Sequence, residues 1–153
     1  MIRSESEYQE ALRRLQQDRH VAGQQREALA AAGLSSEEVE RAMQPLLSFQ
    51  AQLAEEIAWY EDVRRRNFPV VRRLTDLGRL LIALRIGSGL TQRDLAERLG
   101  VNESVVSRDE RNEYHGVTVE RAQRILDALG ATVTARVEEP AFAGVERELS
   151  GIA

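Results

Sequence analysis

A regular apolar repeat runs through residues 39–60 and leaves few folds open to the chain. Its members recur at alternating steps of four and three residues, with one polar side chain among them. They are Val39, Met43, Leu46, Gln50, Leu53, Ile57 and Tyr60. This spacing places every member on one face of an α-helix and is typical of coiled-coil-like packing. The repeat therefore predicts a helix over about residues 36–66 that buries this face against another helix.

A second amphipathic segment precedes the first. Residues 4–31 carry an apolar stripe at helical spacing. The stripe consists of Tyr8, Leu12, Leu15, Ala22 and Leu29. Gly33 is suited to end this helix, and Ser35 and Glu38 have the spacing of a capping box that begins the next one. Two long helices joined by so short a loop predict an antiparallel hairpin over residues 1–67.

Two features of the hairpin leave alternatives open. Pro45 lies inside the second helical pattern and removes a backbone donor, so either the helix kinks there or it starts later. Several apolar side chains also lie off the repeat and need cover, namely Leu47, Phe49, Trp59 and Val63. Because two helices alone have little core, we expect the hairpin to mediate oligomerisation, as a homodimer, or to bind a partner.

The composition favours helix and excludes several kinds of chemistry. Aromatic residues make up 5%, there are only three prolines, and Ala, Leu, Arg, Glu and Gln dominate, so we expect an all-α fold. The absence of cysteine excludes disulfides, thiolate nucleophiles and Cys-ligated metals. The two histidines, His20 and His115, lie far apart in sequence. We therefore expect no metal, no cofactor and no enzymatic activity, since no nucleophile has a base near it.

The charge is distributed unevenly along the chain. Residues 64–137 carry 14 basic and 9 acidic residues, whereas residues 1–63 carry 6 and 12. All 21 basic residues are arginine, whose planar fork suits phosphate and guanine. A basic middle region predicts an anionic partner there. The chain has neither a secretory signal nor a stretch apolar enough to cross a bilayer, so we expect a cytoplasmic protein, nucleoid-associated when bound to DNA.

The helices shorten from residue 74 onward, and glycines separate them. Helices are predicted at Thr75–Ile86, Gln92–Leu99, from the cap Asn102 to about Asn112, and from the cap Thr118 to Leu129. Between the second and third of these, Ala96 is small enough for close helix approach, and Gly100 tolerates the positive φ of a tight turn. Apolar residues flank this turn and can wedge the two helices together. They are Leu95, Leu99, Val101 and Val106.

This region resembles a known family. Residues 74–130 are similar to the helix-turn-helix domain of the Cro and lambda repressor type, the XRE family. The resemblance rests on Gly89-Leu90-Thr91-Gln92, Leu95-Ala96-Glu97-Arg98-Leu99-Gly100-Val101, Ser107-Arg108 with Glu110, and Ile125-Leu126-Asp127-Ala128-Leu129-Gly130. The chain departs from the family pattern at Asp109, where an apolar or aromatic residue is usual, and at Asn112, often glycine. The resemblance implies a DNA-binding domain over residues 70–131.

The resemblance also assigns roles to individual residues on double-stranded DNA. Gln92 and Arg93, at the start of the second short helix, are expected to contact phosphates, with help from Arg108 and Arg111. The family's base-contacting positions correspond to the start of the third helix. They are occupied by Asn102, Glu103, Ser104 and Ser107. Glu103 is suited to accept a hydrogen bond from cytosine N4, or alternatively its carboxylate complements the helix dipole. Arg108 or Arg111 is suited to form two hydrogen bonds with the edge of a guanine.

The last segment, residues 132–153, is predicted to be a short strand and a flexible tail. Thr132–Val137 alternates and is β-branched, so it either pairs with its copy in a second subunit or lies extended. The tail is alternatively a partner-binding segment.

Two functions follow from these expectations. The first is a sequence-specific, dimeric repressor that binds an operator. The second is an antitoxin that neutralises a protein toxin and autoregulates its operon, because a helical hairpin before such a domain is similar to the host-inhibition-of-growth antitoxins. An adaptor with a degenerate motif is a third reading, favoured only if Asp109 prevents the fold.

Overall fold

The computed structural model describes residues 1–137, and every regular element in them is helical. The elements are α1 (Glu5–Ala31), α2 (Ser36–Arg64), a 3₁₀ turn (Leu74–Asp76), α3 (Leu77–Gly87), α4 (Gln92–Leu99), α5 (Glu103–Arg111) and α6 (Val119–Leu129). The predicted helical part of the fold is confirmed. Across these residues, no helix combines the length and the apolarity that a bilayer span requires.

The hairpin forms as its sequence predicts. The side chain of Ser4 accepts from the Glu7 amide at the start of α1, and Ser35 and Glu38 form the predicted capping box at the start of α2. Gly33 lies between the helices with a φ of +88°. Across the pair, the Gln50 amide donates to a backbone carbonyl of α1 at 2.8 Å, so the polar member of the repeat bonds to the opposite helix. The antiparallel arrangement of α1 and α2 is therefore confirmed.

Pro45 lies within a continuous helix. Because the capping box starts α2 at Ser36, the alternative of a later start is wrong. Pro45 is exposed on the helix surface. At this position the proline ring costs α2 one backbone hydrogen bond without ending the helix.

The apolar repeat is buried inside the chain itself. Its far end, at the loop between α1 and α2, packs into a small cluster around Ala22, Val39 and Met43. Its near end, with Ile57 and Tyr60, joins one continuous core with the short helices. The side chains of the repeat therefore pack against α1 and the shared core, so little of their apolar surface is left for contact with a second copy of the chain.

The shared core also covers apolar residues that the hairpin alone does not. Val63 is 0% exposed, and Trp59 packs against the same core as Leu81 and Ile82 of α3. By contrast, Phe49 on α2 remains 69% exposed. The hairpin is thus a structural partner of the short helices at one end and a free-standing helix pair at the other.

The boundaries of the short helices agree with the predicted ones, with small differences. The helix expected from Thr75 begins at Leu77, because residues 74–76 form the 3₁₀ turn. The end of α3 packs against the connector, residues 65–73, which joins α2 to the 3₁₀ turn. A Cβ added at Gly87 would lie 2.6 Å from a ring carbon of Phe68, so glycine is needed for the connector to fold back over α3.

The predicted strand at residues 132–137 does not form within the single chain. These residues have no regular structure and are exposed. A strand needs a partner with unpaired backbone groups, and residues 1–137 of the same chain offer only helices, whose backbone is already paired. Pairing with a second copy of the chain stays a prediction. The remaining predicted tail, residues 138–153, lies outside the described residues.

Candidate nucleic-acid interface

Helices α4 and α5 meet through a tight turn. Gly100 ends α4 in the left-handed conformation, with a φ of +67°, and α5 starts three residues later. Leu95 and Ala96 of α4 and Val106 of α5 are almost fully buried between them. This packing holds the two helices together and leaves Arg93 of α4 and Glu103 and Ser104 of α5 exposed.

The start of α4 is stabilised by a capping box. Thr91 accepts from the Asp94 amide at 3.1 Å, and the Thr91 amide donates to the Asp94 carboxylate at 2.7 Å. Hydrogen bonds from the hydroxyl and then the backbone amide of Thr91 lower the pKa of Asp94, so the carboxylate stays ionised. The first turn of α4 is thereby held in a defined geometry.

The predicted base-reading residues lie together on the outer side of α5. Asn102, Glu103 and Ser104 are exposed, and Ser107 is half-buried one turn further on. Asn102 occupies the cap position but makes no capping hydrogen bond through its side chain, contrary to the expectation from the sequence. Its amide therefore has donor and acceptor capacity available at the tip of the helix.

The cations of this surface lie at both ends of α5, with Arg93 beside its first turn and Arg108 and Arg111 in its last turn. Arg108 and Arg111 are exposed on α5. Arg93 on α4 forms a 3.6 Å ion pair with Glu103, and both side chains are largely exposed. Pairs of this kind contribute about 0–1 kcal/mol, so a phosphate can displace the carboxylate from Arg93 at little cost.

Gln92 is turned inward. Its side-chain amide donates to the Glu110 carboxylate at 2.7 Å and is half-buried. Of the two predicted phosphate-contacting residues on α4, therefore, Arg93 presents its side chain to solvent, whereas Gln92 presents its backbone amide in the first turn of the helix.

A buried ion pair that the sequence analysis missed lies directly beneath this surface. Arg85 of α3 and Glu110 of α5 pair through two hydrogen bonds of 2.5 and 2.7 Å, and their side chains are 3% and 0% exposed. Arg85 also donates to the carbonyls of Leu90, at 2.7 Å, and of Arg3, at 2.9 Å. With Gln92 bonded to Glu110 as well, the pair ties α3, α4, α5 and the chain before α1 together.

A signal for this pair was present in the sequence. Arg85 lies four residues after Leu81 on the apolar face of α3, and Glu110 lies four residues after Val106 on the apolar face of α5. Each charge thus stands on a face that must be buried. Opposite charges on two such faces predict that they pair with each other, because a buried charge needs a partner.

Asp109 does not disturb α5. Its carboxylate pairs with Arg121 of α6 at 2.5 Å, and both side chains are partly buried. The ion pair occupies the place where the family that the sequence resembles usually has an apolar contact. The condition for the degenerate-adaptor reading is therefore not met, because α5 forms with Asp109 in place.

The turn after α5 is held by close packing. Tyr114 is buried with a φ of +53°, and burial raises the pKa of its hydroxyl. The carbonyl of the preceding residue, Glu113, lies against Gly78 of α3 so closely that any side chain at Gly78 would overlap it. The turn thus anchors the end of α5 to α3.

Acidic and histidine side chains form no metal-binding group of three or more within residues 1–137. His20 and His115, far apart in sequence, are both exposed.

Comparisons with known proteins agree with this geometry. Comparison of the chain with curated proteins and with solved structures gives no significant match. Among protein-family models, residues 76–138 match the one described as a helix-turn-helix domain. The region that contains α3 to α6 is therefore a helix-turn-helix domain, which indicates DNA as a partner.

Proposed function

We propose that this protein is a sequence-specific transcriptional regulator of the XRE type, which represses by binding an operator and is not an enzyme. The observation that carries the proposal is the exposed start of α5, set beside the exposed Arg93 of α4 in a helix-turn-helix domain. In such domains the second helix enters the major groove with its N-terminal residues on the base edges.

Each exposed group has a chemical role in this proposal. The backbone amides at the start of α4 and the Arg93 side chain hold a phosphate. Asn102 and Ser104 read base edges, and Glu103 accepts from cytosine N4 once Arg93 has turned to the phosphate. Arg108 or Arg111 contributes either a phosphate contact or a bidentate hydrogen bond to guanine.

The first test is a binding-site selection from random duplex DNA, followed by titration of the selected duplex at several salt concentrations. Affinity should fall steeply with salt because arginine–phosphate contacts release counterions. Arg108→Ala or Arg111→Ala should weaken binding by about 1–3 kcal/mol if the side chain reaches a guanine. The matched control is Arg41→Ala, an exposed arginine on the hairpin whose ion pair within residues 1–137 is with Glu37 in its own helix. A flat salt dependence would contradict the proposal.

The second test concerns base reading. Ser104→Arg and Ser107→Arg place a long cation at positions expected to face the groove, so the preferred sequence should change in a repeated selection. The thermal midpoint should change little for Ser104→Arg, because that residue is exposed. Unchanged preference in both variants would remove these serines from the reading surface.

We also propose that the protein binds as a homodimer, since one domain supplies one recognition helix and operators usually hold two half-sites. With the apolar repeat buried within the chain, the apolar surface left on the hairpin is Phe49, with Val21 at 43% exposure. Light scattering measures the oligomeric state of Phe49→Asp and of a chain that lacks residues 132–153. The variant that becomes monomeric identifies the segment that forms the dimer contact. A monomeric wild type at micromolar concentration would contradict the dimer.

The second candidate function is the antitoxin. Two properties of the hairpin favour it. Residues 1–63 carry 12 acidic and 6 basic residues, and Phe49 of α2 is exposed. Such a surface complements a basic protein. A small basic protein encoded beside this gene, which co-purifies with the wild type but not with Phe49→Asp, would support this function. Its absence from the neighbouring reading frames would count against it.

A further inference from the structure

A cleft of about 460 Å³ lies where the hairpin meets the helix-turn-helix domain. One wall comes from the start of α1 and the end of α2 and includes Arg3, Glu5 and Arg64. The other wall comes from the starts of α4 and α5 and includes Thr91, Gln92 and Glu103. The second wall is part of the proposed DNA-contacting surface, so the hairpin residues of the first wall directly adjoin that surface.

The position of the first wall is fixed relative to the DNA-contacting helices. The buried Arg85, which pairs with Glu110 of α5, donates to the carbonyl of Arg3 at 2.9 Å. Ile2 is 4% exposed in the same core as Leu95 of α4. A side chain at the start of α1 or the end of α2 therefore keeps its place when α4 and α5 sit on DNA.

One arginine of this wall, Arg64, is available to an anion. Arg64 pairs with Glu5, but the two side chains are 53% and 55% exposed, so water already competes for both. The pair contributes about 0–1 kcal/mol, and a phosphate can replace the carboxylate as it can at Arg93. Arg65, the next residue after Arg64, is also exposed.

We propose that the hairpin is part of the DNA-binding surface, with Arg64 contacting a phosphate of the strand that passes the start of α4. This inference rests on the proposed function and extends its footprint beyond the helix-turn-helix domain. This contact carries no sequence information. It adds affinity and fixes the orientation of the domain on the duplex.

The test uses the full chain, the selected duplex and a scrambled duplex of equal length, with fluorescence anisotropy at several salt concentrations. Arg64→Gln should weaken binding to both duplexes by a similar factor. It should also reduce the slope of log affinity against log salt by about one unit, as expected for one lost phosphate contact. Arg64→Lys keeps the charge and should retain the wild-type slope. Glu5→Gln removes the competing carboxylate and should tighten binding.

The controls come from the opposite end of the hairpin. Arg41 and Glu37 form an exposed pair that matches Arg64 and Glu5 in charge and in chemistry, but it lies near the loop between α1 and α2. Arg41→Gln and Glu37→Gln should leave both affinity and slope at the wild-type values. The thermal midpoint of every variant is compared with that of the wild type, so that a folding defect is recognised.

The outcomes separate this inference from the proposed function. If Arg64→Gln behaves like Arg41→Gln while Arg111→Ala weakens binding, the hairpin contact is wrong and the proposed function stands. If Arg64→Gln and Arg41→Gln weaken binding equally, the effect is one of total charge, and the contact is again wrong. If the wild type binds neither duplex, both proposals fail. If Arg64→Gln destabilises the fold, the DNA affinity of Glu5→Gln is compared with that of Glu37→Gln instead. Equal affinities of these two variants would overturn the inference.

Discussion

The hairpin and the helix-turn-helix domain are built from similar residues but bury them very differently. Helix α1 buries three of its 27 residues, whereas α3 buries seven of its 11. The ion pairs between α1 and α2 lie on the surface, as between Arg26 and Glu40, whereas Arg85 and Glu110 lie inside the domain. The domain is therefore held by a core that tolerates little change. The hairpin is held by one narrow seam, which leaves most of its surface free for other contacts.

The comparison also divides the hairpin itself. Its near end shares a core with α3 and the rest of the domain, and its far end relies on the small cluster around Met43. We expect stability to decrease along the hairpin from the domain to the loop, since local stability follows the density of buried apolar contacts.

The largest expected effect is at the buried ion pair of the domain. Glu110→Ala leaves the Arg85 guanidinium buried without a carboxylate, which should cost about 3–5 kcal/mol of unfolding free energy. Urea denaturation measures the change. The control is Glu40→Ala, which breaks the exposed pair with Arg26 in the hairpin and should cost about 0–1 kcal/mol. Equal losses in the two variants would contradict the contrast between the regions.

A cavity in the far end of the hairpin should have a local effect. Met43 is 0% exposed in the far cluster, so Met43→Ala should cost roughly 2–4 kcal/mol of local stability. Hydrogen exchange should accelerate in residues 22–47 and stay near wild-type rates in α3. The matched variant Leu81→Ala, in the shared core, should accelerate exchange in both regions. Uniform acceleration in Met43→Ala would mean that the chain unfolds as one unit.

A Gly→Ala substitution should change stability in opposite directions in the two regions. Gly78→Ala places a methyl group against the Glu113 carbonyl and should destabilise the domain by about 1–3 kcal/mol. Gly23, inside α1, has open space around it, so Gly23→Ala should stabilise the hairpin by about 0.5–1 kcal/mol through helix propensity. Thermal unfolding distinguishes the two. A stabilising Gly78→Ala would show that α3 and the turn after α5 are not in close contact.

The smallest expected effect is the pH dependence of the two capping boxes. Bonds from the Ser35 amide and hydroxyl lower the pKa of Glu38 in the hairpin, and bonds from Thr91 lower that of Asp94 in the domain. A lowered folded-state pKa means that each box stabilises above the ordinary carboxylate pKa of about 4. That stability is lost as the pH falls through this value toward the folded-state pKa.

Thermal midpoints of Glu38→Gln and Asp94→Asn, measured between pH 3 and pH 6, test this dependence. Each variant should lie below the wild type at the upper end of the range and approach it at the lower end. Asp94→Asn should also weaken DNA binding, because it loosens the first turn of α4, whereas Glu38→Gln should not. A gap between variant and wild type that does not narrow on acidification would contradict the assigned bonds.

The sequence by itself determined where the helices lie. The caps at Ser35, Thr91 and Thr118 and the glycines at 33, 100 and 130 mark boundaries that the structure reproduces to within a residue or two. These signals act between residues at most four apart, so they need no tertiary context. The exposed face of α5, with Ser104 and Arg111, follows from the same local periodicity, and so does the antiparallel pairing of two helices joined by a short loop.

Only the tertiary structure decided which faces meet. The repeat ending at Tyr60 predicts a buried face. In the structure, the near end of this face packs in one core with α3, and its far end packs in a separate small cluster. The pairing of Arg85 with Glu110, the inward turn of Gln92 and the absence of a strand at 132–137 all depend on groups far away in sequence or on the lack of a partner. Periodicity specifies that a face is buried. The partner is selected by the free energy of packing whole elements together, to which residues distant in sequence contribute.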